Sequence, residues 1–311
     1  MKVIGAVLVG RPRLAVQTIT KLLDVSPLMR ETPIYAFHLP YERPNPSQMD
    51  ALSKLGKNVK VKEISLFLPR YRNEDMFYSR KSSYARGFGK SRIGYLDMCY
   101  WKTNMFSEPA LARSDFLVSF DDDSDFISSP DNRIRDALAS EDWVIATARA
   151  RENNVSQRIL DTREHLISFT REFISKNAVE VRDARLAIAL KSSDDLDFHS
   201  LPWSAGNFNI YRTSEFRTVE WYRWAYGLNL FGASHRLRWG DIEALDLFAR
   251  LHYPNAVWDM DLVRDGIYRP TAPGAKMVQS KTVRSLIERT FSKTAKLFRK
   301  STSVKSSRDR S

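Results

Sequence analysis

Apolar positions in this chain fall into short runs separated by stretches of helical spacing. Residues 3–9 (Val-Ile-Gly-Ala-Val-Leu-Val) make a run suited to a buried strand and too short for an independent helix. Gly10-Arg11-Pro12-Arg13 reads as a loop, and residues 14–23 then carry apolar groups at helical spacing. Residues 33–38 and 59–66 read as two more strands, the second with period-2 alternation. Strand, helix, strand, helix, strand predicts an α/β fold with a Rossmann-like, parallel or mixed sheet flanked by helices. Residues 68–90, rich in Arg, Tyr, Ser and Gly, read as a long loop, and such loops in compact domains are usually functional or mobile.

In residues 94–106, positions 95, 98, 101 and 105 make one apolar helical face. Residues 116–120 have strand character and end abruptly in Asp121-Asp122-Asp123-Ser124-Asp125. A short helical stretch at 134–138 and a strand at 143–148 come next, and residues 151–192 return to helical spacing. Residues 198–212 place small and polar groups between aromatics, which suits either a backbone turn beside a ligand or a hairpin corner. Residues 220–226 read as an aromatic helix. Residues 241–251 start another, with Asp241 expected as its N-cap. Residues 257–268 mix strand character with Asp259, Asp261 and Asp265.

The carboxylate cluster is the strongest chemical signal. Polar groups at the carboxyl end of a buried strand sit where open α/β sheets bind ligands. Four aspartates within residues 121–125 repel one another unless a cation or strong donors neutralise them. Carboxylates at alternate positions suit a hard divalent ion that also carries a phosphorylated ligand. An EF-hand loop is excluded, because its sixth position would be Phe126 and its twelfth Asn132. An aspartyl-phosphate phosphatase would carry this motif near the start of its domain, whereas more than a hundred residues precede it here. A nucleotide-sugar transferase and a solvated acidic turn remain. No G-x-G-x-x-G occurs, so a dinucleotide site is not indicated. Arg11 and Arg13 are either diphosphate contacts or part of a solvated loop.

Composition changes the picture mainly at one end. The 311 residues have a formal net charge of +12. From residue 276 onward there are eleven basic residues against two acidic ones, so most of the excess sits in the tail. Residues 1–270 are expected to be the folded body. Residues 271–311 are expected to be a basic amphipathic helix with a disordered end, either resting on an anionic membrane or simply solvated. That distribution argues against nucleic acid as the partner of the body. The single Cys99 fits a reducing compartment, no apolar run reaches membrane-spanning length, and the first run lacks a signal-type cleavage pattern. A cytoplasmic location is expected.

Taken in order, residues 7–11, 95–101, 120–123, 203–204 with 206–207, and above all Arg238-Trp239-Gly240-Asp241 resemble the Kre2/Mnt1-type α-1,2-mannosyltransferases, glycosyltransferase family 15. The resemblance implies a GT-A fold and retaining transfer of mannose from GDP-mannose to a glycan acceptor with Mn²⁺, or Mg²⁺ in its place. It places Asp121 and Asp123 at the metal. Nucleotide-sugar contacts are implied for Arg11, Tyr95, Asp121, Asn207 and Trp239, with Trp239 packing on a sugar face. Asp241, Glu243 and Ser204 are the implied catalytic residues. Three departures stand out. The family's Glu-Pro-Asp is Asp121-Asp122-Asp123 here, and a family Glu has no counterpart between Ser204 and Gly206. A family His that resembles a metal ligand falls on Arg264, so Asp265, Asp259 or Asp261 would have to substitute, or the ion has one protein ligand fewer. A catalytically silent sugar- or nucleotide-binding protein of the same fold is the alternative.

Overall fold

The computed structural model describes residues 1–66, 92–151, 163, 165–204, 207–234 and 239–269. The chain divides into two units, Met1–Pro270 and Thr271–Ser311, and the second lies outside the described residues, as does the long loop expected at 68–90. In chain order the elements are β1 (Val3–Leu8), α1 (Pro12–Val25), α2 (Pro27–Glu31), β2 (Ile34–His38), α3 (Pro46–Ser53), β3 (Val59–Glu63) and α4 (Arg92–Asn104). β4 (Phe116–Asp121), β5 (Asp125–Phe126), α5 (Asp131–Ala139), β6 (Ile145–Thr147) and β7 (Ala150–Arg151) come next. Then come α6 (Leu166–Asn177), α7 (Ala184–Lys191), α8 (Asp195–His199), β8 (Trp203–Ser204) and β9 (Phe208–Arg212). The last four are α9 (Val219–Phe231), α10 (Asp241–His252), β10 (Val257–Asp259) and β11 (Tyr268–Arg269).

Seven strands form one mixed sheet in the order β10-β6-β9-β4-β1-β2-β3. Only β9 runs against its neighbours, pairing antiparallel with β4 and β6. The central strands are apolar without alternation because both faces are covered. In β1, Ile4, Ala6 and Leu8 enter one hydrophobic cluster while Val7 enters the other, as the period-2 geometry of a strand requires. In β4, Leu117 likewise faces away from Phe116, Val118 and Phe120.

Helix ends obey local rules. α3 starts with a capping box, in which Asn45 accepts from the backbone of Gln48 and Gln48 returns the bond. Of the helical stretch expected over 151–192, residues 152–162 and 164 lie outside the described residues, Arg151 belongs to β7, and the rest is divided at Ala178, whose left-handed φ of 49° ends α6. Among the described residues, no helix is long and apolar enough to cross a membrane.

Candidate active site

From β1 the chain steps to β2 and β3 on one side, whereas β4 adds on the other. The carboxyl ends of β1 and β4 therefore flank a topological switch point, where open α/β sheets hold their ligands. Leu8 lies beside Asp121 in the parallel register, so the turn after β1 meets the acidic end of β4. Asp122 locks the two together. Its carboxylate accepts the backbone N–H of Gly10 (3.0 Å) and Arg11 (2.6 Å) and the Nε of Arg11 (3.0 Å). Thr18 of α1 adds hydroxyl bonds to the carbonyls of Asp122 and Ser124. Burial pushes the Asp122 carboxyl up, against the pull of Arg11. The same guanidinium lies 2.9 Å from Asp123, whose carboxyl is also raised, first by burial and then by Asp121 against Arg11.

Asp121 is held from the other direction. One oxygen receives the Lys102 ammonium at 2.5 Å and the other receives Asn207 Nδ2 at 3.0 Å. The Lys102 side chain is only 5% exposed, and its nitrogen lies 3.7 Å from Asp241 Oδ2. Burial alone would lower the ammonium's pKa, but Asp121 and Asp241 outweigh it and hold it well above the ordinary lysine range. Asp241 itself is pushed up by burial, opposed by Lys102. Its Oδ2 has no hydrogen-bond partner among the described residues.

Asp241 is not the N-cap expected from the sequence. Gly240 holds that position, and Asp241 is the first helical residue, its side chain reaching inward to Lys102. A Cβ at Gly240 would lie 2.6 Å from a carboxylate oxygen of Glu243, so the glycine makes room for that side chain to fold back. Glu243 pairs with Arg163 at 3.0 Å. Arg163 in turn lies over the Trp203 ring and donates to the His199 carbonyl.

Arg11, Asp121, Asp123 and Asn207 thus lie together, with Asp241 joined to them through Lys102. Tyr95 falls in the first turn of α4, and its side chain lies outside the described residues. Three assignments need correction. Ser204 is not presented to a ligand: it is buried, and its N–H (2.7 Å) and hydroxyl (2.6 Å) both donate to Asp246 of α10. Trp239 is not a sugar platform, because it is 1% exposed and packs among Phe169 and Phe231. Asp265 is taken up by Arg133 (2.6 Å) and Arg264, and no contact among the described residues joins it to Asp121 or Asp123. Arg264 itself also pairs with Asp261.

Lys102, the latching role of Asp122 and buried Asp246 were missed. Lys102 had a legible signal, since a lysine one turn beyond Met98 shares a mostly apolar helical face.

As a donor set for a small divalent ion, Asp121 and Asp123 fit a shared arrangement. Such ions commonly take one or two protein carboxylates, with phosphate oxygens and water completing the shell. The described residues contain no group of three or more His, Cys, Asp or Glu able to hold an ion unaided. An ion held by these two carboxylates would need further oxygen ligands from outside the described residues.

The fold is that of the GT-A glycosyltransferases. Among solved structures, the chain is similar to core-mannan synthase A (CmsA/Ktr4) from Aspergillus fumigatus in its Mn/GDP form, at 15% identity and a TM-score of 0.65, over 90% of this chain and 81% of that one. It is likewise similar to the mannosyltransferase Ktr4p from S. cerevisiae in complex with GDP, at 15% identity and a TM-score of 0.66, over 89% and 74%. At that identity the likeness shows a shared fold. No protein-family model matches the chain, and no curated protein matches it in sequence.

Proposed function

We propose that this chain is a metal-dependent, retaining glycosyltransferase that moves a hexose, mannose from GDP-mannose, to a sugar hydroxyl of a glycan. The observation that carries the reading is the convergence of Asp121, Asp123, Arg11 and Asn207 at the switch point of this fold. Two structures of the same fold carry GDP, one of them with Mn. Asp121 and Asp123 would hold Mn²⁺ or Mg²⁺ together with the diphosphate. When bound, the ion neutralises charge developing on the leaving phosphate. Arg11, whose side chain is about half exposed, can add a charge-assisted hydrogen bond to the same diphosphate.

On the acceptor side, Asp241 offers a buried carboxylate oxygen still lacking a donor, which suits a sugar hydroxyl. Glu243, neutralised by Arg163, supports that helix start and is not a free base. With no counterpart of the family's Glu beside Ser204, the chemistry reduces to a front-face displacement. The bond from the anomeric carbon to the phosphate oxygen breaks, the bond to the acceptor oxygen forms on the same face, and the acceptor proton passes to the leaving phosphate. Asp241→Asn is expected to lower turnover at least about tenfold while leaving donor binding in place.

The alternative, a silent binder, is favoured by one observation. The position of the family's metal-ligand His is an arginine paired with Asp261 and Asp265. Nucleotide-sugars tested for hydrolysis and transfer with and without Mn²⁺ separate the two. Turnover of GDP-mannose only with the ion supports the enzyme. Nucleotide binding with no turnover of any donor leaves the binder.

A further inference from the structure

Lys102 is the feature of this site that neither the sequence resemblance nor the reaction scheme requires. Burying an ammonium costs several kcal/mol unless opposite charges surround it, so its position needs a reason. It enters from α4 between Asp121, at the end of β4, and Asp241, at the start of α10. Around it the strand end is over-supplied with negative charge. Asp121, Asp122, Asp123 and Asp241 bring four formal negative charges, and Arg11 and Lys102 return two positive ones. Glu42 lies close enough to feel the charge of Asp122, and burial, then Asp97 and Asp122, raises its carboxyl.

We propose that Lys102 is the built-in counter-cation of this site, occupying an oxygen of Asp121 and keeping the strand end from taking up a divalent ion in the absence of a diphosphate. This rests on the reading of Asp121 as an ion ligand. An ion arriving alone must compete with an ammonium already seated on that oxygen. An ion arriving with a diphosphate brings its own oxygen ligands and needs less from Asp121. The ammonium can then turn toward Asp241, whose Oδ2 lies 3.7 Å away and has lone pairs for both it and an acceptor hydroxyl. Lys102 is thus a positioning residue linking the diphosphate side of the cleft to the acceptor side. A lysine that merely joined α4 to β4 would affect stability and leave ion affinity unmoved.

The test is Mn²⁺ binding by the full chain without nucleotide, read as free Mn²⁺ by electron paramagnetic resonance. Wild type, Lys102→Met, Lys102→Gln and Lys102→Arg are compared, with near-ultraviolet circular dichroism reporting the fold. Removing one unit charge beside the ligand oxygen is expected to tighten Mn²⁺ binding at least about tenfold in the Met and Gln variants. Lys102→Arg should stay at the wild-type value. Folded Met and Gln variants with unchanged or weaker Mn²⁺ affinity overturn the proposal, and so does an Arg variant that binds as tightly as they do. Loss of the fold in both neutral variants also overturns it, assigning Lys102 to structure alone. GDP titrated into the wild type with Mn²⁺ judges the functional reading separately. Failure of GDP to bind sinks that reading, while the Mn²⁺ comparison among the variants still decides the role of Lys102.

Discussion

At the carboxyl ends of β1 and β4, side chains named from sequence motifs remain within reach of a ligand. Arg11 is about half exposed, and Asp121 and Asp123 keep part of their carboxylates open. Where β8 meets the start of α10, residues of equal chemical promise are closed in. Ser204 is tied to Asp246, and Trp239 to the aromatic rings of α6 and α9. The difference lies in the element that carries each motif. A parallel strand ends at the rim of the sheet, and its last side chains project beyond the core. A helix start packed under aromatic residues turns the same chemistry into framework. Asp241 is also buried, but its side chain reaches Lys102 and so faces the strand end.

Trp239→Ala gives the hardest blow to this contrast. Replacing a fully buried indole by alanine costs about 3–5 kcal/mol, so the midpoint of denaturant unfolding should fall steeply. The KM for donor in the folded fraction should hardly move. A raised KM with unchanged stability would return Trp239 to the sugar-binding role. On the open side, Asp123→Asn should leave unfolding nearly unchanged and remove Mn²⁺-dependent GDP binding in calorimetry, with turnover down by about 10²–10³. Undiminished Mn²⁺-dependent binding would remove the strand end from the mechanism.

Asp246 offers a pH-dependent test of the closed side. Burial, opposed by Arg250 and Ser204, pushes its carboxyl up to about 6 from an ordinary 3.8. A carboxyl with a raised folded pKa favours folding while protonated. Its contribution is full below about pH 4 and is lost as the pH rises through about 6, a change of at most about 3 kcal/mol. Asp246→Asn should therefore gain stability relative to wild type between pH 4.5 and 7.5, measured by urea unfolding at both values. Parallel stability curves would show that this network ionises as readily folded as unfolded.

Much of the sheet was legible because strands buried on both faces read as continuous apolar runs, as residues 3–9 and 116–120 do. The open half of the site was legible for the same reason, since Asp121 and Arg11 sit at the ends of such runs. The closed half was not, because its neighbours are remote in sequence. The rings around Trp239 come from Phe169 and Phe231, and the acceptor for Ser204 lies at Asp246. The helix start was misread by one residue. Gly240 and Asp241 are both good cap types, and only backbone angles and hydrogen bonds decide between them.

The smallest expected effect sharpens the boundary of the open half. Asp265 sits on an exposed turn, and its carboxylate is held below the ordinary range, first by a hydrogen bond from Arg133, with Arg264 adding to it. Its charge is thereby committed to two arginines, and water screens what remains. Asp265→Asn should leave Mn²⁺ affinity, GDP affinity and the unfolding midpoint indistinguishable from wild type, in parallel titrations with Asp123→Asn. A weakened Mn²⁺–GDP complex in this variant would mean that the turn between β10 and β11 closes onto the strand end when the donor arrives. The metal assignment implied by the family resemblance would then be recovered through a movement that the pairing with Arg133 opposes.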